Sequence, residues 1–147
     1  GYEAALRAAG IGFDQKLLVH CAYTIGAAAE GAGKLLDTHP EVTALFAANY
    51  EMTVGTMIAL NERGIRIPEE MSVIGFDNRE FARAVHPALT IITQPTGAIA
   101  KRVAQLLLSR LEGGAKEPPQ ECYLLTEVMQ GKSVQEPAGE WNRCSKL

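Results

Sequence analysis

Few of the residues on which enzymes and metal sites are usually built occur here in a usable pattern. Only three cysteines occur, Cys21, Cys122 and Cys144. None forms a C-x-x-C pair, and an odd count makes a poor disulfide framework, so a reducing compartment is expected. Aromatic residues make up 6% of the chain, with a single tryptophan. The apolar runs are too short to cross a bilayer. Basic residues are not in excess: net charge is −3 and the pI is near 5.6, which gives no global footprint for nucleic acid. Glu30-Gly31-Ala32-Gly33-Lys34 looks like a phosphate loop only superficially. Leu35 follows the lysine, and the first glycine is misplaced. His20, His39 and His86 are scattered, with no Ser or Cys beside them in a nucleophile elbow. His20 and Cys21 are strand neighbours and point to opposite faces. Glu69, Glu70, Asp77 and Glu80 have no reason of spacing to share a proton, and Met52, Met57 and Met71 read as packing residues. No catalytic residue, metal ligand or cofactor is expected, and the chain is not read as an enzyme.

What is present is enough for a core. The hydrophobic fraction is 47%, ordinary for a folded domain, and 147 residues suit one domain or a piece of one. Tyr2, Ala5, Leu6 and Ala9 recur at helical spacing before Gly10. Leu17-Leu18-Val19-His20-Cys21 reads as a strand. A loop or helix entry over 22–29 leads into a helix over 30–37. A strand over 43–48 with no polar break follows, as a strand covered on both faces requires. A helix over 51–63 stops at Gly64, and a strand over 71–76 follows Pro68. A short helix over 79–85 leads to Leu89-Thr90-Ile91-Ile92-Thr93, a further strand. Over 98–111, Ile99, Val103, Leu106, Leu107 and Leu111 form one apolar stripe, ended by Gly113-Gly114. Residues 123–134 suit one or two more strands, and the tail from Glu136 reads as loop. Strand and helix alternate, which predicts an α/β fold with a parallel sheet. Arg79, Arg83, Lys101, Arg102 and Arg110 read as parts of solvated helical faces.

Two strands end alike. Ser72-Val73-Ile74-Gly75-Phe76 runs into Asp77-Asn78, and Ala44-Leu45-Phe46-Ala47-Ala48 runs into Asn49-Tyr50. Ligands of open parallel sheets sit beyond the carboxyl ends of the strands. A carboxylate and a carboxamide there can grip hydroxyl groups of a small molecule. The plainer alternative is that Asp77 and Asn49 cap the helices that follow.

Taken in order, these segments resemble the effector-binding region of the LacI/GalR family of bacterial transcription regulators. The resemblance rests on Gly1-Tyr2 through Ala9-Gly10-Ile11, the Ala44–Asn49 segment, and Gly55 followed by Ala59-Leu60 and Gly64. It continues through Ile67-Pro68-Glu69, the Ser72–Asn78 segment, Pro87-Ala88-Leu89-Thr90, Gln94-Pro95, and Thr126-Glu127 with Ser133, so it covers the chain to about residue 135. It implies a periplasmic-binding-protein-like fold, a three-layer α/β/α sandwich in which two lobes close on a sugar or a nucleobase or nucleoside. Asn49 and Asp77 match effector-contacting positions, and Tyr23, Tyr50, Phe76 and Gln94 fall near the same mouth. Tyr50 stands where an acidic residue is usual, and Gln130-Gly131-Lys132 where an arginine is usual.

The resemblance also implies that the chain starts inside the C-terminal lobe, after its central strand. Residues 1–95 would then be C-lobe, 96–135 would cross back toward an N-lobe not in this chain, and 136–147 would be tail. A DNA-binding headpiece, absent here, would contact operator DNA in the cytoplasm. The stripe on the 98–111 helix would lack its partner lobe, and each of its side chains contributes roughly 1.5–3 kcal/mol when buried. Poor folding alone, or a substitute partner such as a second copy, is the expectation. Val54, Ile58, Phe81 and Val85 match positions that meet across a homodimer interface; ordinary core packing explains them equally well. Two other functions stay open. One is a periplasmic sugar-binding protein of a transporter, and the other a truncated chain that binds no ligand.

Overall fold

The computed structural model describes residues 1–112 and 118–136. The Gly113-Gly114 helix stop and nearly all of the 136–147 tail lie outside them. Helix α1 spans Tyr2–Ala8, α2 Ile25–Thr38, α3 Tyr50–Glu62, α4 Arg79–Ala84 and α5 Thr96–Leu111. Strands β1 (Ala44–Phe46), β2 (Ser72–Phe76), β3 (Thr90–Thr93) and β4 (Glu127–Met129) form one sheet in that order. β1, β2 and β3 are parallel, and β4 adds an antiparallel edge.

The parallel strands follow from their connections. Each is joined to the next through a helix, and crossovers of one hand put those helices on one face. One cluster accordingly joins Leu36 of α2, Leu60 of α3 and Ala82 of α4 to Val73 of β2 and Ile91 of β3. Burial on β2 alternates, with Val73 and Gly75 inside, the period of two that a pleated strand imposes. Gly55 lets α2 and α3 touch. A Cβ there would lie 2.5 Å from the Ala28 Cβ and 2.7 Å from the Ala29 nitrogen. On the other face, register aligns Phe46 with Ile74 and Phe76 with Ile92 and Val128; Phe46 and Val128 are exposed. The chain thus supplies the sheet and one helical layer of the sandwich.

Two peripheral segments are left out of that packing. Neither α1 nor α5 has a buried residue. On α5, Val103, Leu107, Leu108 and Leu111 are 56–73% exposed, as a helix whose apolar stripe has found no partner must be. The strand expected over 17–21 does not form. A short 3-10 turn spans Gln15–Leu17, started by the Asp14 side chain accepting from the Lys16 N–H, and residues 18–22 have no regular structure. A strand exists only as one side of a ladder, and among the described residues none pairs with this segment. Val19 and Cys21 instead lie against Gly31 of α2.

The closing segment supplies one strand. Although the resemblance groups residues 127–135 with the crossing stretch, they pack on this sheet. The fully buried Ser133 enters between the amino ends of β2 and β3. Its hydroxyl donates to the Val73 carbonyl at 2.6 Å and accepts the Thr90 N–H at 2.8 Å. Its own carbonyl accepts the Val73 N–H. Gln135 continues the clamp, donating from its backbone N–H to Ser72 Oγ and from its side chain to the Glu69 carbonyl. Gly131 lies so close to the Ala88 and Leu89 backbone that a Cβ would collide with it.

Candidate ligand-binding site

Because β1, β2 and β3 are parallel, their carboxyl ends share one end of the sheet, opposite the Ser133 clamp. The chain leaves β1 through Ala47, whose N–H still donates to the Ile74 carbonyl, and reaches Asn49 at the start of α3. There the helix-cap alternative holds. Asn49 Oδ1 accepts the Met52 N–H at 2.8 Å. That bond uses the oxygen and leaves the amide nitrogen as a donor for a ligand. Thr53 braces the corner, donating its hydroxyl to the Asn49 carbonyl at 2.7 Å and accepting the Phe76 N–H at 3.0 Å. The ends of β1 and β2 are thereby fixed to each other.

At the end of β2 the helix-cap alternative fails for Asp77. Asp77 and Asn78 both adopt left-handed backbone, at φ 57° and 54°, a region that Asp and Asn tolerate better than other L residues. The sharp turn splits their work. Asn78 caps α4, its Oδ1 accepting the Phe81 N–H at 2.8 Å. Asp77 is spared. Its N–H donates to the Ile92 carbonyl, and its carboxylate accepts from the Gln94 backbone N–H at 3.2 Å and from Gln94 Nε2 at 2.6 Å. A carboxylate held from one side by an amide keeps further lone pairs for ligand hydroxyls.

Asn49, Asp77, Phe76 and Gln94 are thus brought to one mouth. Tyr23 and Tyr50 have no hydrogen bond to these four side chains among the described residues. Tyr23 is 78% exposed in the loop before α2, with no hydrogen bond or ring contact among the described residues joining it to the mouth. The Tyr50 ring meets Phe81 edge to face, with centroids 5.8 Å apart and planes at 85°. Of the four interface positions, Phe81 and Val85 pack against the core cluster, Val54 is half-buried and Ile58 is exposed. Two contributors were not legible as such. Thr53 reads in sequence as a helix residue like any other. Arg79 lies on a solvated face as read, and from there also reaches Thr93 Oγ1 and Glu127 Oε2, both at 3.2 Å.

Away from the mouth, a shallow groove of about 330 Å³ lies between α2 and α3, lined by Glu30, Lys34, Asp37, Glu62 and Arg63 among others. It sits at the carboxyl ends of those helices, hence at the clamped end of the sheet. Arg63 bridges it to Asp37 at 2.9 Å. The guanidinium hydrogen bond holds the Asp37 carboxyl below its ordinary range. No group of three or more His, Cys, Asp or Glu among the described residues could hold a metal ion. No helix among them is long and apolar enough to cross a membrane.

A family model described as a periplasmic binding protein-like domain matches residues 1–134. The chain belongs to that family, as a LacI/GalR-type effector-binding region. Among curated relatives of this LacI-type chain, the HTH-type transcriptional regulator AscG of Escherichia coli K12 is 38% identical over 119 residues, 81% of this chain and 35% of AscG. CelR of Thermobifida fusca, also a transcriptional regulator, is 35% identical over 80% of this chain and 35% of its own length. A structure of a CelR–cellobiose complex superposes with a TM-score of 0.83 at 32% identity, covering 90% of this chain and 40% of that one. A LacI-family regulator from Enterococcus faecium with bound ribose gives 0.78 at 32% identity, over 90% of this chain and 49% of that one. This chain therefore spans less than half the length of these relatives. The periplasmic-binding-protein-like fold, with a mixed sheet flanked by helices, is the one the sequence implies.

Proposed function

We propose that this chain is the effector-sensing and dimerising part of a LacI-type transcription regulator, with a sugar or nucleoside-type effector held at Asn49, Asp77 and Gln94. One observation carries the reading. Three adjacent parallel strands end in side chains that between them offer a carboxylate, two amide donors and the aromatic edge of Phe76. Vicinal hydroxyls, which donate and accept at once, fit such a set. Names of solved relatives support the sugar class, since cellobiose, ribose and lactose occur in them. Residues 1–95 then form a C-lobe and 96–135 the stretch that crosses toward the second lobe, its last residues, 127–135, returning to this sheet. Operator DNA is contacted only through a headpiece beyond this chain. A cytoplasmic regulator without enzymatic activity fits relatives that are themselves transcriptional regulators. Dimerisation uses the α3–α4 face around Val54, Ile58 and Phe81. A transporter's periplasmic binding protein shares the fold but has less support, because the curated relatives named above are regulators.

Calorimetric titration with cellobiose, ribose, lactose and a nucleoside panel tests this. Saturable binding is expected for at least one. Asp77→Ala should weaken it by about 1.5–3 kcal/mol, roughly ten- to a hundred-fold, because a charge-assisted hydrogen bond is lost. Equal affinity in the variant removes Asp77 from the site.

A further inference from the structure

Tyr50 and Asn78 each sit one residue beyond a ligand-facing side chain, and both end on Phe81. Tyr50 follows Asn49 and lays its ring against the Phe81 ring. Asn78 follows Asp77 and accepts the Phe81 N–H. Phe81 in turn lies half-buried on α4, packed against the core cluster together with Val85. The ends of β1 and β2 therefore converge, by different bonds, on one residue of the α3–α4 face.

We propose that Tyr50 is a coupling residue, through which the mouth and the α3–α4 face sense each other. This inference rests on the effector and dimer reading above. In this proposal the part that shifts is the left-handed turn at Asp77–Asn78. A ligand hydroxyl that engages the Asp77 carboxylate competes with Gln94 Nε2 for it. Any resulting shift of the turn moves Asn78, and with it the Phe81 backbone. A ring packed edge to face at 5.8 Å on a half-buried neighbour passes such a shift on to it through that contact. Tyr50 is that neighbour, and its backbone is continuous with Asn49. Linkage makes the effect reciprocal: whatever the mouth does to dimerisation, dimerisation does to the mouth by the same factor.

The test needs no identified effector. Dimer dissociation constants of the 147-residue chain, carrying Leu107→Glu and Leu111→Glu to block association through the exposed α5 stripe, are measured by sedimentation equilibrium, with the mouth intact or perturbed by Gln94→Ala, and again by Asp77→Ala. Each perturbation should shift the constant several-fold. In a Tyr50→Leu background the shift should vanish, and Tyr50→Phe, which keeps the ring, should restore it. A space-filling Tyr50 instead lowers the melting temperature and leaves the shift intact. A shift that persists in Tyr50→Leu, or no shift in the native background, overturns the proposal, and so does the absence of self-association at all concentrations. Failure of the sugar titrations beside an intact, ring-dependent shift removes the effector reading alone and leaves the coupling standing.

Discussion

The two ends of the sheet are built to opposite specifications. At the amino end, polar groups are used up internally. Ser133 bonds the Thr90 N–H and both the N–H and carbonyl of Val73, and the ion pairs Arg63–Asp37 and Arg66–Glu70 tie together residues of the segments that lead into β1 and β2. At the carboxyl end, two consecutive residues sit in left-handed backbone, and side chains that could have served the fold are left with capacity to spare. The difference teaches where this chain keeps its stability and where it keeps its chemistry. A buried donor without a partner costs about 1–3 kcal/mol, so the clamped end resists change. Left-handed non-glycine residues cost of the order of 1–3 kcal/mol each and cluster where ligands bind.

The comparison breaks most readily at its closed end. Ser133→Ala should lower unfolding free energy by about 2–4 kcal/mol, since two buried backbone groups lose their partner at once. Urea denaturation measures this, and effector affinity in the folded fraction should not change. A loss of affinity equal to the loss of stability would show that the two ends are not separate. Next in size, Asn78→Ala should cost about 1–3 kcal/mol, through the lost cap and a left-handed alanine. It should also weaken effector binding, because the same turn aims Asp77; Asn78→Gly should recover most of the stability. Affinity that survives Asn78→Ala would detach the turn from the site.

The smallest effect concerns acid. Asp37 and Glu70 are held below the ordinary carboxylate range, each chiefly by the hydrogen bond from its arginine. A carboxyl whose folded value is depressed stabilises the fold above its unfolded value, and that contribution disappears as pH falls through the folded one. Melting temperature should therefore drop below about pH 4, and Asp37→Asn should flatten part of that limb while changing little at neutral pH. An unchanged acid limb in Asp37→Asn would take the Arg63 pair out of the account of the closed end.

How much of this was legible in the sequence depended on the range of the interaction. The elements 44–46, 50–62, 72–76 and 90–93 follow from local pattern, within a residue or two of where it places them. So does the position of Asn49 and Asp77 at strand ends, because a strand that ends in a polar residue delivers it to the sheet's rim whatever lies elsewhere. The 17–21 segment was misread because β propensity is only half of a strand, the other half being a neighbour. The Tyr50 ring contact was hidden for a similar reason. Its ring meets Phe81, 31 positions further along the chain, and local pattern does not reach that far. The reach of Arg79 to Glu127, 48 residues away, left no trace in local pattern. Nor did the role of Gly131, whose need for space arises from a backbone about 40 residues earlier in the numbering.

The Ser133 clamp also sets a timetable. Its hydroxyl joins groups 43 and 60 residues earlier in the chain, so β1, β2 and β3 all leave the ribosome before the residue that locks their amino ends. At a synthesis rate of about 5–20 residues per second, the interval between Thr90 and Ser133 lasts roughly two to nine seconds. During that time the Thr90 N–H and the Val73 backbone groups lack their Ser133 partners. The strands must therefore hold their register through their own buried face until the last segment arrives to close the amino end.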